Sequence, residues 1–420
     1  MKITEEFLYF VWQNQLFDQN RLTSAGDSLK IIDTGKRNPY SGPDFSFSKI
    51  KIADTTWVGN IEIHVKSSDW YKHHHEKDDA FNNVILHVIY EDDLPYDQKM
   101  PRPLELKNLI LPSIVKNYAS IKANKSWLPC ESLIDFRDSL KTDLWLERVC
   151  IERLERKVTE LESIYTSLNK DLEQTFFVLL GKAIGQKANS TAFEFLTRQT
   201  PLKLILKYAD KPETVEALLM GQAGFLDEPK DLYHAQQKKE YEFIKLKHQL
   251  TNISKSVWKT GGVRPYNQPT IRIAQFSRLL IKLFPFAEKV EKLELKQLQK
   301  ALRIGTSSYW NSHFVFGKET NNSKKILGKS AIDSILINAV IPFLFFSGEK
   351  IQNEKLKDKA ISFLEKISPE KNTVMSKWSS FGINASSALF SQALLEQHNN
   401  YCKKLACLNC GIGDQIIKRK

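Results

Sequence analysis

The chain has 420 residues, with 61 Lys+Arg against 49 Asp+Glu for a net charge of +12, and it is 42% hydrophobic and 11% aromatic. This balance excludes a disordered chain, and the length is sufficient for two or three domains with their own cores. No uninterrupted apolar run approaches about 18 residues, and the N-terminal segment carries Glu5 and Glu6 where a signal peptide would be basic. The sequence therefore predicts a cytoplasmic protein without a membrane partner.

The positive charge is unevenly distributed. Residues 1–125 contain 16 Lys+Arg and 17 Asp+Glu, whereas residues 126–420 contain 45 and 32. A basic surface suits a polyanion, because neutralised phosphates supply sequence-independent affinity for nucleic acid. The alternative is that these lysines only cover solvated helix surfaces.

The first third of the chain has the pattern of an α+β domain. Thr4 can cap a first helix from Glu5 to Gln15, because Phe7, Leu8, Val11 and Trp12 follow at helical spacing. Period-two alternation and turn residues then predict several strands. Their ranges are 29–33, 45–52, 57–65, 84–90 and 104–109.

One strand face in this domain carries three ionisable side chains. Alternation along the strand 57–65 projects Glu62, His64 and Lys66 together, whereas Ile61, Ile63 and Val65 face the other side. The turn at Asp54 predicts a hairpin that brings Asp44 beside Glu62. Paired carboxylates suit Mg²⁺ or Mn²⁺, and a nearby Lys or His can stabilise charge or move a proton. These residues predict a hydrolytic metal site.

The loop at residues 67–83 adds His73, His74 and His75, and the following strand adds His87. His73 and His75 alternate, so they could face the same way and complete a second metal site or donate to a scissile phosphate. Asp69 and Asp78 could orient them. The alternative for His87 is a satisfied core position, which is the more common role of a lone strand histidine.

From about Trp127 the chain follows helical periodicity. One segment, Thr260 to Leu280, combines paired glycines and prolines with cationic, amide and aromatic side chains suited to a nucleic-acid backbone. These are Arg264, Tyr266, Asn267, Arg272 and Arg278. The alternative for Arg272 and Arg278 is pairing with acids on a neighbouring helix.

The C-terminal segment contains a C-x₄-C-x₂-C motif formed by Cys402, Cys407 and Cys410. Clustered thiols in a reducing compartment indicate ligands for Zn²⁺ or an iron–sulfur cluster. Cys130 is the expected fourth ligand, because it lies in a turn, whereas Cys150 lies within an amphipathic helix. His398 is a competing fourth ligand, and free thiols are the alternative to any metal.

Pro43-Asp44 followed by a strand bearing Glu62 resembles the PD-(D/E)XK nuclease superfamily, whose Pro-Asp and Glu-x-Lys motifs hold a divalent ion and the attacking water. The resemblance covers about residues 1–110 and implies a restriction-endonuclease-like mixed sheet with flanking helices. His64 occupies the position of the family lysine. His64 could therefore be a third ligand or a general base, with Lys66 as the electrostatic helper.

The whole chain, through GPDF, EIH, LHV, RPYNQP and the terminal cysteines, also resembles a bacterial family known only as a domain of unknown function. We expect two domains, an α+β nuclease-like domain at residues 1–125 and a basic, mostly α-helical region at residues 126–420. The leading hypothesis is a metal-dependent nuclease acting on nucleic acid, DNA in preference to RNA. The alternatives are a nucleic-acid-binding or assembly protein with a degenerate site, and a hydrolase of a non-nucleic substrate with a metal centre at His64, His73, His75 and His87.

Overall fold

The structure of the protein is a computed structural model that describes residues 2–97 and 99–419. Two compact units divide the chain at bounds that differ from the expected boundary at residue 125. The first unit comprises Met1–Leu146, Lys377–Ile383 and Leu395–Lys420, and the second comprises Glu147–Ser376 and Asn384–Leu394. The difference arises because the C-terminal cysteine segment folds into the first unit.

The first unit begins with helix α1, Glu5–Gln13. Thr4 caps it, accepting a hydrogen bond from the backbone N–H of Phe7, and this satisfies one of the free donors of the first turn. The apolar side chains at helical spacing are buried, and α1 packs against the longest strand of the sheet, residues 55–66.

A seven-stranded mixed sheet forms the centre of the first unit. Its strands are β1 Thr23–Ser24, β2 Asp27–Asp33, β3 Lys36–Arg37, β4 Phe45–Ile52, β5 Thr55–Lys66, β6 Val84–Glu91 and β7 Pro103–Glu105. Their order is β1-β2-β4-β5-β6-β7, and β3 pairs with β4. β2, β4 and β5 are antiparallel, whereas β5, β6 and β7 are parallel. The sheet therefore changes direction at β5, the strand that carries Glu62 and His64.

The last predicted strand, 104–109, is wrong at its C-terminal end. β7 ends at Glu105, and the chain then turns, because the backbone N–H groups of Leu109 and Ile110 both donate to the carbonyl of Leu106. Ile110 then forms an isolated bridge with Phe17.

The parallel connection from β5 to β6 is short and irregular. It consists of helix α2, Asp69–Lys72, and two 3₁₀ turns, His75–Lys77 and Asp79–Phe81. A small apolar cluster of Trp70, Phe81, Val84 and Met100 anchors this connection. We call residues 67–83 the histidine loop.

Helices dominate the rest of the chain, as predicted. They are α3 Pro112–Ala123, α4 Ser139–Ser167, α5 Leu172–Ile184, α6 Gln186–Gln199, α7 Leu202–Lys207, α8 Pro212–Gln222, α9 Leu232–His248, α10 Pro269–Leu283, α11 Phe286–Lys292, α12 Leu295–Leu302, α13 Lys329–Ile335, α14 Ile341–Lys350, α15 Glu354–Lys366, α16 Thr373–Ser380, α17 Ala388–Glu396 and α18 Gly411–Ile417. Strands β8 His313–Val315 and β9 Lys318–Glu319 form a separate hairpin within the second unit.

The continuous helical stretch Lys329–Lys350 has the length and apolar composition of a membrane span. However, 83% of its most apolar window is buried inside the protein. Such burial is typical of a core helix in a soluble protein.

Candidate metal centre

The two predicted carboxylates are adjacent in the structure. Phe45 pairs with Ile61 across β4 and β5, and this register brings Asp44 level with Glu62. The backbone N–H of Asp44 donates to Oε2 of Glu62 at 3.2 Å, and the N–H of Ile63 donates to Oδ2 of Asp44 at 3.0 Å. The hairpin thus brings both carboxylates together through reciprocal backbone hydrogen bonds.

Burial changes the protonation of both carboxylates. It raises the pKa of Glu62 to about 9, and the negative charge of Asp44 adds to this effect. Burial also raises the pKa of Asp44, although hydrogen bonds from the Tyr9 hydroxyl and the Ile63 N–H oppose the rise. Without a nearby cation, Glu62 therefore retains its proton at neutral pH.

Two histidines approach Glu62, and a third contacts one of them. Nε2 of His64 lies 3.5 Å from Oε1 of Glu62 and 3.1 Å from Nδ1 of His73, and Nε2 of His75 lies 3.3 Å from the same Glu62 oxygen. One nitrogen each from His64, His73 and His75 lies within 4.8 Å of the other two. These three nitrogens could hold a metal ion, with the Glu62 carboxylate as an adjoining oxygen ligand.

The histidine loop supplies two of these ligands through local packing. His75 stacks on Phe81 with ring centroids 3.8 Å apart, and it also contacts Trp70. His73 is exposed to solvent, whereas His75 is half-buried. His74 has a left-handed backbone and is exposed, and it lies outside the group of three. The loop therefore brings together the alternate pair His73 and His75, and it leaves one ligand accessible from solvent.

His87 lies behind His64. Its Nε2 is 2.8 Å from Nδ1 of His64, and both side chains are buried. Burial lowers the pKa of His87 to about 3, and burial with the neighbouring imidazoles lowers the pKa of His64 to about 2. Both rings are therefore neutral at physiological pH, the state in which imidazole binds metals.

Lys66 does not join the carboxylates. Its side chain is 51% exposed, and its ammonium group lies 3.5 Å from Oδ2 of Asp93. The same strand face carries Glu62 and His64, but Lys66 is its last residue, where β5 reaches solvent. Asp69 and Asp78 are the two residues expected to orient the loop histidines. Asp69 accepts a hydrogen bond from the backbone N–H of Lys66, and Asp78 caps the 3₁₀ turn Asp79–Phe81.

Two residues of the site were missed by the sequence reasoning. The Tyr9 hydroxyl hydrogen-bonds Asp44, and burial together with Asp44 raises the Tyr9 pKa above its usual range. Burial and the charge of Asp44 also raise the pKa of Glu5. Glu5 and Tyr9 share one face of α1 at i and i+4 spacing. This spacing is visible in the sequence, but only the packing of α1 against β5 brings the two side chains near Asp44.

A family described as "Protein of unknown function (DUF2851)" matches residues 5–373. The chain belongs to the DUF2851 family. No curated protein and no solved structure matches it. The matched residues of this DUF2851 protein include the whole histidine–carboxylate site and Cys130, and they end before Cys402.

The predicted nucleic-acid-binding segment of this DUF2851 protein is only partly at the surface. Arg264 and Tyr266 are exposed. Arg272 is 6% exposed, because the first turns of α10 are buried, and its guanidinium donates to Asn267 and Gln275. The prediction that Arg272 binds a phosphate backbone at the surface is therefore wrong.

Arg278 has an acidic neighbour within the second unit. Its guanidinium lies 3.7 Å from Oε1 of Glu213. This contact is the alternative given above for Arg278, pairing with an acid on a neighbouring helix. Arg278 and Arg272 thus have contacts within the fold, and Arg264 is the exposed arginine of this segment.

The four expected cysteine ligands come together within the first unit of this DUF2851 protein. Cys130, Cys402, Cys407 and Cys410 are all buried and line one cavity. The competing ligand His398 instead stacks on Trp127, with ring centroids 4.1 Å apart. Cys150 belongs to the second unit.

Proposed function

We propose that this DUF2851 protein is a metal-dependent hydrolase that cleaves phosphodiester bonds in nucleic acid. The observation that carries the proposal is the contact of one Glu62 carboxylate with His64, with His75 and with the backbone of Asp44. These contacts gather oxygen and nitrogen ligands at one partly accessible position. Metal-assisted hydrolysis requires such a set of ligands.

The donor set fits a cation. Nε2 of His75 is buried and has no hydrogen-bond partner in the part of the chain that the structure describes, because its 3.3 Å approach to Glu62 lacks hydrogen-bond geometry. A buried nitrogen without a partner destabilises the fold unless another group, such as a metal ion, binds it. His64, His73, His75 and Glu62 would hold the ion, with Asp44 beside them.

The mixture of ligands favours one class of metal. Imidazole suits Zn²⁺, Cu²⁺, Fe²⁺ and Ni²⁺, whereas carboxylates suit Mg²⁺ and Mn²⁺. Of the two ions expected from the sequence, Mn²⁺ is the better match to three nitrogens and one oxygen, because it is a transition metal and Mg²⁺ demands oxygen ligands. A bound ion would polarise the phosphoryl oxygen and lower the pKa of a bound water.

The protein groups around the ligands have separable roles. A hydrogen bond from the Tyr9 hydroxyl to the Asp44 carboxyl favours the ionised form of Asp44. His73 is the exposed imidazole of the group and is the one that a substrate meets first. With one ring nitrogen on the ion, His73 could donate a hydrogen bond to a phosphate oxygen through the N–H of its other nitrogen.

Three further features support a nucleic-acid substrate. Pro43-Asp44 and Glu62 resemble the nuclease motif, and a mixed sheet with α1 against β5 is in keeping with the fold that this resemblance implies. The net charge of +12 favours a polyanion. Tyr40 and Phe47, which flank Asp44 in sequence, are 84% and 76% exposed and could stack on bases.

A second candidate is a hydrolase that uses a transition metal on a substrate other than nucleic acid. The three converging imidazoles favour it, as does the pairing of Lys66 with Asp93, which removes the expected electrostatic helper from the carboxylates. A protein that binds nucleic acid without cleaving it is the remaining alternative.

One experiment separates these functions. Labelled single- and double-stranded DNA and RNA are incubated with the full chain and Mg²⁺, Mn²⁺ or Zn²⁺, beside a general phosphoester and ester panel. Asp44→Asn, Glu62→Gln and His75→Ala test the site. Asp54→Asn is the matched control, because Asp54 is an exposed carboxylate in the β4–β5 turn.

We expect Mn²⁺-dependent cleavage of a nucleic acid that the three site variants lose and Asp54→Asn retains. Cleavage of small esters alone would favour the second candidate. Salt-sensitive binding without cleavage, unchanged in Asp44→Asn and Glu62→Gln, would overturn the hydrolase proposal.

A further inference from the structure

We propose that Cys130, Cys402, Cys407 and Cys410 hold a thiophilic metal centre, either Zn²⁺ or an iron–sulfur cluster, which fixes the C-terminal segment within the first unit. The four thiols come from sequence positions that lie far apart, yet they line a single small cavity. Leu128, Pro129, Trp378 and Ile412 provide its apolar walls. This inference does not depend on the proposed hydrolytic activity.

Each thiol lies at the end of a local element. Cys130 precedes the 3₁₀ helix Glu131–Phe136, Cys402 ends the π-helical turn Gln397–Cys402, Cys407 begins the 3₁₀ turn Cys407–Asn409, and Cys410 caps α18. The N-terminal ends at Cys130, Cys407 and Cys410 leave backbone N–H groups free to point at ligands.

Hydrogen-bond donors point at two of the sulfur atoms, and they oppose part of the effect of burial, which favours the free thiol. The Gln397 side-chain amide donates to Sγ of Cys410 at 3.0 Å and to Sγ of Cys402 at 3.7 Å. The backbone N–H of Gly413 donates to Sγ of Cys410 at 3.4 Å. Such N–H···S bonds orient metal-bound thiolates and tune the metal they hold.

The orientation of Gln397 is determined by its other partner. The Trp145 indole N–H donates to Oε1 of Gln397 at 2.8 Å. Because an indole nitrogen is only a donor, the amide oxygen must face Trp145 and the amide NH₂ must face the sulfurs. The sulfurs are therefore the acceptors at this site.

Buried free cysteines more often behave as small apolar residues, and several features separate this cluster from that case. Four thiols share one cavity, and polar donors point at two of them. The chain is also closely packed here: a Cβ on Gly413 would lie 2.1 Å from the Cys407 carbonyl oxygen. Burial raises the pKa of all four thiols, to about 12 for Cys407. A bound cation reverses that effect by stabilising thiolate.

The centre would support the back of the hydrolytic site. The turn Cys407–Asn409 packs against α1, and α18 packs against α3 and the 3₁₀ helix Glu131–Phe136. The Asn117 amide donates to the carbonyl of Ile416 at 3.2 Å. Helix α1 carries Tyr9, which bonds Asp44. The C-terminal segment is thus a structural support for α1, with the thiol centre at its attachment to Cys130.

The test is metal analysis of the full chain purified anaerobically without chelator. Zinc, iron, acid-labile sulfide and the visible spectrum are measured for a His73→Ala/His75→Ala protein with wild-type cysteines, so that metal at the histidines does not contribute. The same measurements are made after adding Cys130→Ser, Cys410→Ser or the control Cys150→Ala to that protein.

We expect either about one zinc per chain with no colour, or iron with sulfide and a brown colour. Cys130→Ser and Cys410→Ser lose at least 80% of that metal by our estimate, whereas Cys150→Ala keeps it. Metal that is absent from the wild-type thiols, or unchanged in both serine variants, overturns the proposal.

A variant that fails to fold does not prevent the test. Titrating the folded protein with a mercurial thiol reagent should release the metal in proportion to the thiols modified. Thiols that react without metal release overturn the proposal. Asp44→Asn should keep the cysteine-bound metal while losing nuclease activity, so failure of the cysteine centre and failure of the proposed function are distinguishable.

Discussion

His64 and His87 form a buried imidazole pair in which Nδ1 of His64 lies 2.8 Å from Nε2 of His87. Nε2 of His64 faces His73 and Glu62. If Nε2 binds a metal, the His64 proton must lie on Nδ1 and be donated to His87. His87 then carries its own proton on Nδ1, which has no hydrogen-bond partner among residues 2–97 and 99–419. With a metal on His64, His87 would thus be a positioning residue that selects the metal-binding tautomer of His64.

We expect His87→Leu to weaken Mn²⁺ binding by about 10- to 100-fold, because the partner that fixes a ligand is lost. His87→Gln should recover part of the affinity, since its amide oxygen can accept the His64 proton. Isothermal titration calorimetry with Mn²⁺ measures both. Equal affinities for wild type and His87→Leu would contradict the positioning role.

The raised pKa of Glu62, about 9, predicts a proton linked to metal binding. Near pH 7 the free protein holds this carboxyl protonated, so binding a cation should release up to about one proton per ion. Metal affinity should then rise with pH until about pH 9. Calorimetry in buffers of different ionisation enthalpy counts the protons, and Glu62→Gln should release fewer.

The raised pKa of Glu62 also affects the stability of the metal-free protein. A carboxyl whose folded-state pKa is raised contributes stability that is fully present below its unfolded value and lost as pH rises through the folded value. The metal-free protein should lose stability between about pH 4.5 and about pH 9 through Glu62. Glu62→Gln should flatten this part of the denaturation profile.

Phe47 predicts a separation between stability and substrate binding. This bulky residue has a φ of 60° in a β-bulge of β4 and is 76% exposed. Strain of this kind costs about 1–3 kcal/mol and is often retained for function. In Phe47→Gly the relief of strain is offset by the greater entropy of the unfolded chain, so we expect the free energy of unfolding to change by about 1 kcal/mol or less.

Binding of single-stranded nucleic acid by Phe47→Gly should weaken by about 1–3 kcal/mol, because one stacking ring is lost. Fluorescence anisotropy and urea denaturation measure the two effects. Phe243→Ala is the control, since Phe243 is an exposed phenylalanine on α9. Equal loss of binding in both variants would contradict a specific role for Phe47.

Glu216 predicts a pH effect in the second unit. It is buried, and its Oε1 accepts hydrogen bonds from the Trp310 indole, the Tyr233 hydroxyl and Ser307. Burial nevertheless raises its pKa, so the folded state favours the protonated form. Its stabilising contribution is fully present below about pH 4.5 and falls as pH rises through the folded value.

Glu216→Gln should therefore stabilise the protein at pH 8 and have little effect at pH 4, because the amide reproduces the neutral side chain. Thermal denaturation at the two pH values measures the difference. A variant that is less stable than wild type at pH 8 would instead indicate that the three donors stabilise the ionised carboxylate.

Local sequence patterns were sufficient for the centre of the first unit. Alternation defines β4 and β5, and the short turn between them keeps Asp44 close to the Glu62 segment. Continued without interruption, the register set by the turn would pair Asp44 with Ile63, and the β-bulge between Phe45 and Ser48 shifts it by one residue to Glu62. The spacing of Cys402, Cys407 and Cys410 similarly limits how far apart these thiols can lie. In such cases the covalent chain keeps the interacting residues close.

Only the tertiary structure decided which residues, distant in sequence, lie beside Asp44 and Glu62. The parallel return of β6 brings His87 to His64, and packing of Trp70 and Phe81 turns His75 toward Glu62. Packing of α1 brings Tyr9 to Asp44, and burial of α10 removes Arg272 from the surface. These contacts depend on which apolar faces pack against each other. The spacing of hydrophobic residues shows that one face of an element is buried, but it does not specify the element against which that face packs. The sequence thus determined the chemical groups and the carboxylate pair, whereas long-range packing determined which histidines reach it.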